Sequence, residues 1–144
     1  MEAAAQPLCI LLVDDNEDDI LLAQQVFARL DLPCRLEVAM SAAEALDYLK
    51  CRGKYSGRKP EAPSLLLLDL NMPGTDGLEL LQKIKADKEL RKIPAIMLTS
   101  SASQADIRRS FETGAASFIT KPGNLEGYME MMSKFGRYWL GVSA

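Results

Sequence analysis

Residues at four points of the chain have the types that phosphoryl transfer needs: the acid pair Asp14-Asp15, Asp69 directly after four leucines, Thr99, and Lys121. Three carboxylates brought together repel, and each raises the pKa of the others unless a cation sits among them. A hard divalent ion, Mg²⁺ or Mn²⁺, held by carboxylate oxygens, a backbone carbonyl and waters, answers that need and keeps room for a phosphate oxygen. With the metal and Lys121 neutralising equatorial charge, Asp69 attacks in line as nucleophile and Thr99 bonds the transferred group. Singly, each residue has a plainer reading: a helix-capping acid for Asp14 or Asp15, a strand terminus for Thr99, a solvated loop charge for Lys121. Asp69 resists one, because an unpaired carboxylate at the end of a buried strand is costly. The chain has no histidine, which removes histidine-dependent triads, histidine metal sites and a phosphohistidine on this protein.

These residues must be brought together by the elements that carry them. Short runs of Leu, Ile and Val alternate with segments of helical period, five times over, which predicts parallel strands crossed by helices. Strands are expected near Cys9 to Val13, Leu36 to Ala39, Leu65 to Leu68, Ala95 to Leu98 and Ser117 to Thr120. The runs CILLV, SLLLL and PAIML are apolar without alternation, as strands buried on both faces are. Ligands of an open parallel sheet gather beyond the carboxyl ends of its strands. Asp14-Asp15, Asp69, Thr99-Ser100 and Lys121-Pro122 stand at those ends.

The first helix is expected to start near Asn16 as its cap, with Glu17, Asp18 and Asp19 at the positive dipole end and Ile20, Ala23, Val26, Phe27 and Leu30 inward. Ser41 and Glu44 form a capping box for the second, which turns Ala42, Ala45, Leu46 and Leu49 inward. Leu78, Leu81 and Ile84 mark the third. The fourth spans Gln104 to Thr113, with Ile107 and Phe111 inward and Gly114 as its stop. The fifth, about Asn124 to Leu140, repeats Leu125, Tyr128, Met129, Met132, Phe135 and Trp139 at helical steps. Arg52 to Ser64, rich in Gly, Pro, Lys and Arg, reads as the one long exposed loop.

The chain has 144 residues, 48% of them apolar, enough for one core and too few for two full domains. A net charge of -3 offers no basic surface for nucleic acid or anionic lipid. No apolar run reaches membrane-spanning length, and the first residues lack a signal pattern. Cys9, Cys34 and Cys51 have no metal-like spacing and read as reduced thiols of a cytoplasmic protein.

LLVDDNEDD (Leu11 to Asp19), LLLLDLNMPGTDG (Leu65 to Gly77), MLTSSA (Met97 to Ala102) and GAASFITKP (Gly114 to Pro122) resemble the four signature blocks of the receiver domains of two-component response regulators. The intervals between Asp69, Thr99 and Lys121 agree with that family's spacing, and the resemblance covers nearly the whole chain. It implies a flavodoxin-like (βα)5 doubly wound α/β sandwich around a five-stranded parallel sheet in the order 2-1-3-4-5. It further implies one receiver domain over residues 1–144 (core about 8–140) with no output domain, which accepts phosphate on Asp69 from a sensor histidine kinase or small phosphodonors. Metal ligands would be Asp14, Asp15, Asp69 and the backbone carbonyl of Asn71, with Asn71 and Ser101 flanking the attacking water. Lys121 would pair with the phosphoryl group, and its bond to Pro122 would be cis. Thr99 and the aromatic Phe118, which lacks the usual tyrosine hydroxyl, would form the switch that reshapes the face of the fourth helix, fifth strand and fifth helix. Core packing is the plainer reading of Phe118.

The long loop and the ending Arg137-Tyr138-Trp139-Leu140 are similar to stand-alone regulators paired with phytochrome-type histidine kinases. Surplus apolar residues Met131, Tyr138, Trp139 and Leu140 suggest a homodimer, or else a flap over the domain's own core. Two other classes compete: a haloacid-dehalogenase-type phosphatase, which needs an acid where Asn71 stands, and a phosphate-independent interaction module. A downstream phosphotransfer or target protein completes the expected partners, with no nucleic acid or membrane.

Overall fold

The computed structural model describes residues 8–30, 34–72, 74, 76–100 and 103–139, with 8 and 135–139 described by their backbone alone. The elements run β1 (Leu8–Val13), α1 (Glu17–Leu30), β2 (Cys34–Ala39), α2 (Ala42–Leu49), β3 (Leu65–Asp69), α3 (Gly77–Ala86), β4 (Ala95–Thr99), α4 (Gln104–Thr113), β5 (Ser117–Thr120) and α5 (Leu125–Trp139). All five strands are parallel, in the order β2-β1-β3-β4-β5. This is the flavodoxin-like doubly wound sheet implied by the sequence.

The two-residue period of a strand sends alternate side chains to opposite faces, and the central strands are buried on both. Leu11, Val13, Leu66, Leu68 and Met97 pack under α2 and α3 with Ala45, Leu49, Leu81 and Ile84. Ile10, Leu12, Leu65, Leu67, Ile96 and Leu98 pack on the other face under α1 and α5 with Ile20, Ala23, Val26, Tyr128 and Met132. Burying each such Leu or Ile contributes about 1.5–3 kcal/mol, so continuous apolar runs are what a strand covered on both sides requires.

Most caps follow the sequence. Asn16 Oδ1 accepts from Asp19 N at 3.0 Å, and Ser41 Oγ from Glu44 N at 3.0 Å. The expected box at α2 is shifted by one residue, because the Glu44 carboxylate accepts from Met40 N at 2.7 Å. Gly114 ends α4 in the left-handed region at φ 117.

α4 departs from its expected stripe. Ile107 is half-buried, but Phe111 is 50% exposed and Ser110 is wholly buried instead. Two apolar residues are a weak constraint on a helix's rotation, and Ser110 tolerates burial by donating its hydroxyl to Asp106 O at 2.8 Å.

The long loop is largely exposed yet fastened. The Arg58 guanidinium donates to Tyr48 O from Nε and Nη2 (3.0 and 2.7 Å) while lying 3.9 Å from the centre of the Tyr48 ring. Tyr55, in a 3₁₀ turn at Gly53–Tyr55, donates its hydroxyl to Glu44 at 2.8 Å. Among the described residues no helix is long and apolar enough to cross a membrane. Of the residues suggesting a dimer, Met131 packs partly on the domain's own core, whereas Leu140 and the side chains of Tyr138 and Trp139 lie outside those described, as does the side chain of Phe135 from the expected α5 stripe.

Candidate functional site

Strand register sets the site. Val13 pairs with Leu68, Asp69 with Leu98, and Thr99 with Thr120, so four strands finish at nearly one level and their next residues share one edge. Asp14 N is held by Ala39 O at 3.0 Å and Lys121 N by Thr99 O at 2.7 Å. The backbone around the site is therefore an extension of the sheet.

Asp14, Asp69 and Thr99 are buried, with 0%, 4% and 0% exposure, while Asp15 is half-buried. One carboxylate oxygen from each of Asp14, Asp15 and Asp69 lies within 4.8 Å of the other two. Three carboxylate oxygens at that spacing are a hard, oxygen-only donor set, and the residues fit Mg²⁺ or Mn²⁺ on their chemistry. Asn71 stands beside them: its N donates to Asp69 Oδ1 at 3.3 Å and its Nδ2 to Thr99 Oγ1 at 2.9 Å.

Lys121 meets the acids from the end of β5. Its Nζ lies 2.8 Å from Asp14 Oδ2, 2.9 Å from Asp19 Oδ2 and 3.4 Å from Asp69 Oδ2. One ammonium thus faces three carboxylates in a largely buried setting. Burial, with the charge of Asp14 added, pushes the Asp69 carboxyl up to about 6 against the opposing pull of Lys121. Burial disfavours the Lys121 charge, but hydrogen bonds to Asp14 and Asp19 outweigh it and hold the ammonium above its usual range. The Tyr128 phenol behind them is pushed up to about 12 by burial and by the charge of Asp19.

Gly77, at the start of α3, closes the floor of the site. Its N donates to Leu70 O at 3.0 Å, and a Cβ there would run into the carbonyl oxygen of Asp69 and lie 3.0 Å from Leu70 Cα. Only a residue without a side chain lets α3 approach the backbone that carries Asp69.

Asp14, Asp15, Asp69, Asn71, Thr99 and Lys121 are thus gathered at one sheet edge. Phe118 is half-buried, packed against the core on the α2 and α3 face, and Ser101 lies outside the described residues. The Lys121–Pro122 bond is trans, not cis as the resemblance implied. Trans is the favoured isomer of an X-Pro bond by about 0.5–1 kcal/mol, and along that path Lys121 already reaches both Thr99 O and the acids. Asp19 was legible only as a dipole-compensating acid. Its place three residues after the cap Asn16, in the first turn of α1 beside the strand tip, was the available signal.

The model of the response regulator receiver domain matches residues 10–133. Over 138 residues the chain is 37% identical to the probable methanogenesis regulatory protein FilR2 of Methanothrix harundinacea, spanning 96% of this chain and 87% of that protein. Response regulator Rcp1 of Synechocystis is 34% identical, spanning 93% of this chain and 90% of that protein. The Mn(2+)-bound form of Rcp1 superposes with a TM-score of 0.84 at 33% identity, over 96% of this chain and 98% of that one. The phosphorylated cyanobacterial phytochrome response regulator RcpA superposes with a TM-score of 0.86 at 34% identity, with the same coverage of 96% and 98%. The phosphatase and the phosphate-independent module find no support in these relatives, and the position two past Asp69 holds an amide, Asn71.

Proposed function

The chain belongs to the response regulator receiver domain family, and from that premise we propose that it accepts a phosphoryl group on Asp69 and relays the change as a binding switch. The observation that carries this reading is the convergence of Asp14, Asp15 and Asp69 within 4.8 Å, with Lys121 paired to the same cluster.

In the proposed step an Asp69 carboxylate oxygen bonds to the phosphorus of a phosphohistidine on a sensor kinase. The phosphorus–nitrogen bond breaks, and the departing imidazole nitrogen keeps the electron pair and takes up a proton. Asp69 becomes a mixed acyl phosphate, and later attack by water returns the carboxylate and releases inorganic phosphate. Asp14, Asp15, Asp69 and the Asn71 carbonyl would hold the divalent cation, Mg²⁺ or Mn²⁺, which would supply positive charge against the phosphoryl oxygens. Lys121 supplies the second positive charge. Thr99 hydrogen-bonds the new group, and Phe118 adjusts beneath the α4-β5-α5 face, which a partner reads.

The relatives support a narrower proposal as well. RcpA is a phytochrome response regulator, and a phytochrome-type histidine kinase is the partner we assign here, with a phosphotransfer or target protein downstream. A homodimer through the α5 face belongs to the same reading, supported by the apolar Tyr138, Trp139 and Leu140 of the sequence. A net charge of -3 argues against nucleic acid, and the free thiols Cys9, Cys34 and Cys51 support a cytoplasmic site.

Incubation with Mg²⁺ and a small acyl phosphate tests the reading. Mass spectrometry should find one added phosphoryl group on the wild type and none on Asp69→Asn. Addition that persists in Asp69→Asn, or never occurs in the wild type, rejects it.

A further inference from the structure

Asp19 has no part in the reaction just described, yet its Oδ2 lies 2.9 Å from Lys121 Nζ, nearer than Asp69 at 3.4 Å. The contact is built by the start of α1. Asn16 N donates to Asp14 Oδ1 at 2.9 Å, and Asp19 N donates to Asn16 Oδ1 at 3.0 Å. Lys121 Nζ then donates to both Asp19 Oδ2 and Asp14 Oδ2. Four residues close a ring, so the cap that begins α1 also aims Asp19 at the ammonium.

Asp19 differs from the other partners of Lys121 in what happens to its charge. Asp14 and Asp69 belong to the cluster that can hold a cation, and Asp19 does not. A bound cation would engage the carboxylates of Asp14 and Asp69, and esterification would remove the Asp69 carboxylate, whereas Asp19 lies outside that cluster. A charge-assisted hydrogen bond is roughly twice as strong as a neutral one, and here it joins a side chain 7% exposed to one 27% exposed.

Building on the receiver reading, we infer that Asp19 is a positioning residue for Lys121, holding the ammonium at the rim of the site while Asp14 and Asp69 change partners, so that it meets the phosphoryl group already oriented. It touches neither donor nor acceptor. Its effect passes through Lys121.

The experiment compares wild type, Asp19→Asn and Asp19→Ala at saturating Mg²⁺, with an acyl phosphate as donor and ¹⁵N-lysine labelling to observe the Lys121 ammonium, assigned through its loss in Lys121→Arg. Asp19→Ala should lower the maximal phosphorylation rate about tenfold with the half-saturating donor concentration unchanged, and should shift or broaden the ammonium signal. Asp19→Asn keeps an acceptor oxygen without the charge and should restore part of the rate and of the signal. An unaltered rate and signal in Asp19→Ala overturn the role alone, provided the wild type is labelled. Equal loss in both variants with an unmoved signal also overturns it, since a charge effect would then suffice. A wild type that takes up no phosphoryl group sinks the receiver reading and this role together.

Discussion

The amide of Asn71 donates to the hydroxyl of Thr99 across 2.9 Å, joining the loop after β3 to the tip of β4. The bond ties the residue two past the proposed phosphoacceptor to the proposed switch hydroxyl, which is buried. Thr99→Val keeps the shape and removes the acceptor. We expect a loss of about 0.5–1.5 kcal/mol in urea unfolding, with phosphorylation of Asp69 retained. The spectral change at the α4-β5-α5 face on phosphorylation should be much reduced. A full spectral response in Thr99→Val would show that the hydroxyl is not the link.

Metal should act as a stabilising ligand. The cluster of Asp14, Asp15 and Asp69 is assembled only in the folded state, so a hundredfold excess of Mg²⁺ over its dissociation constant adds about 2.7 kcal/mol. Calorimetry should record a rise of several degrees in Tm, reversed by chelator. Asp15→Asn should abolish most of that rise while leaving the metal-free Tm close to wild type or above it, because one repelling charge is gone.

Gly77→Ala should distort the site from below. The new Cβ meets the Asp69 carbonyl and the Leu70 backbone rather than a flexible side chain, and overpacking against backbone costs about 1–3 kcal/mol. The urea midpoint should fall and phosphoryl uptake should slow. Gly57→Ala, with nothing within 4 Å of its Cβ, is the control and should match wild type in both.

The thiol of Cys34 supplies a pH dependence away from the site. Burial, with Cys9 adding to it, pushes this thiol up to about 11 from 9.0. A folded-state pKa above the unfolded one means that the folded protein holds the proton longer. The stability it contributes is whole below pH 9 and is lost as pH rises through about 11. Alkylation of Cys34 at pH 8 should be slow in the native protein and on the order of a hundredfold faster in urea, because only the thiolate reacts. Against Cys34→Ala, the wild type should lose more of its urea midpoint between pH 9 and 11.

Much of this protein is legible in local pattern. The unbroken apolar runs Leu65 to Leu68 and Ala95 to Leu98 announce strands covered on both faces, and the strand tips follow by placing Asp14, Asp69, Thr99 and Lys121 at one edge. Caps at Asn16, Ser41 and Gly114 are equally local, because their partners lie within four residues. Such features depend on neighbours along the chain, and sequence displays neighbours directly.

Other features were decided by tertiary structure. The rotation that buries Ser110 and exposes Phe111 depends on how α4 settles on the sheet, which two apolar residues do not determine. The Arg58 stack on Tyr48 turned a loop of turn-forming composition into a fastened segment. Above all, Lys121 meets Asp14 and Asp19 across 107 and 102 positions of sequence. No periodicity encodes that meeting, because it depends on sheet register and on the angle at which α1 leaves β1, both products of the whole packed core.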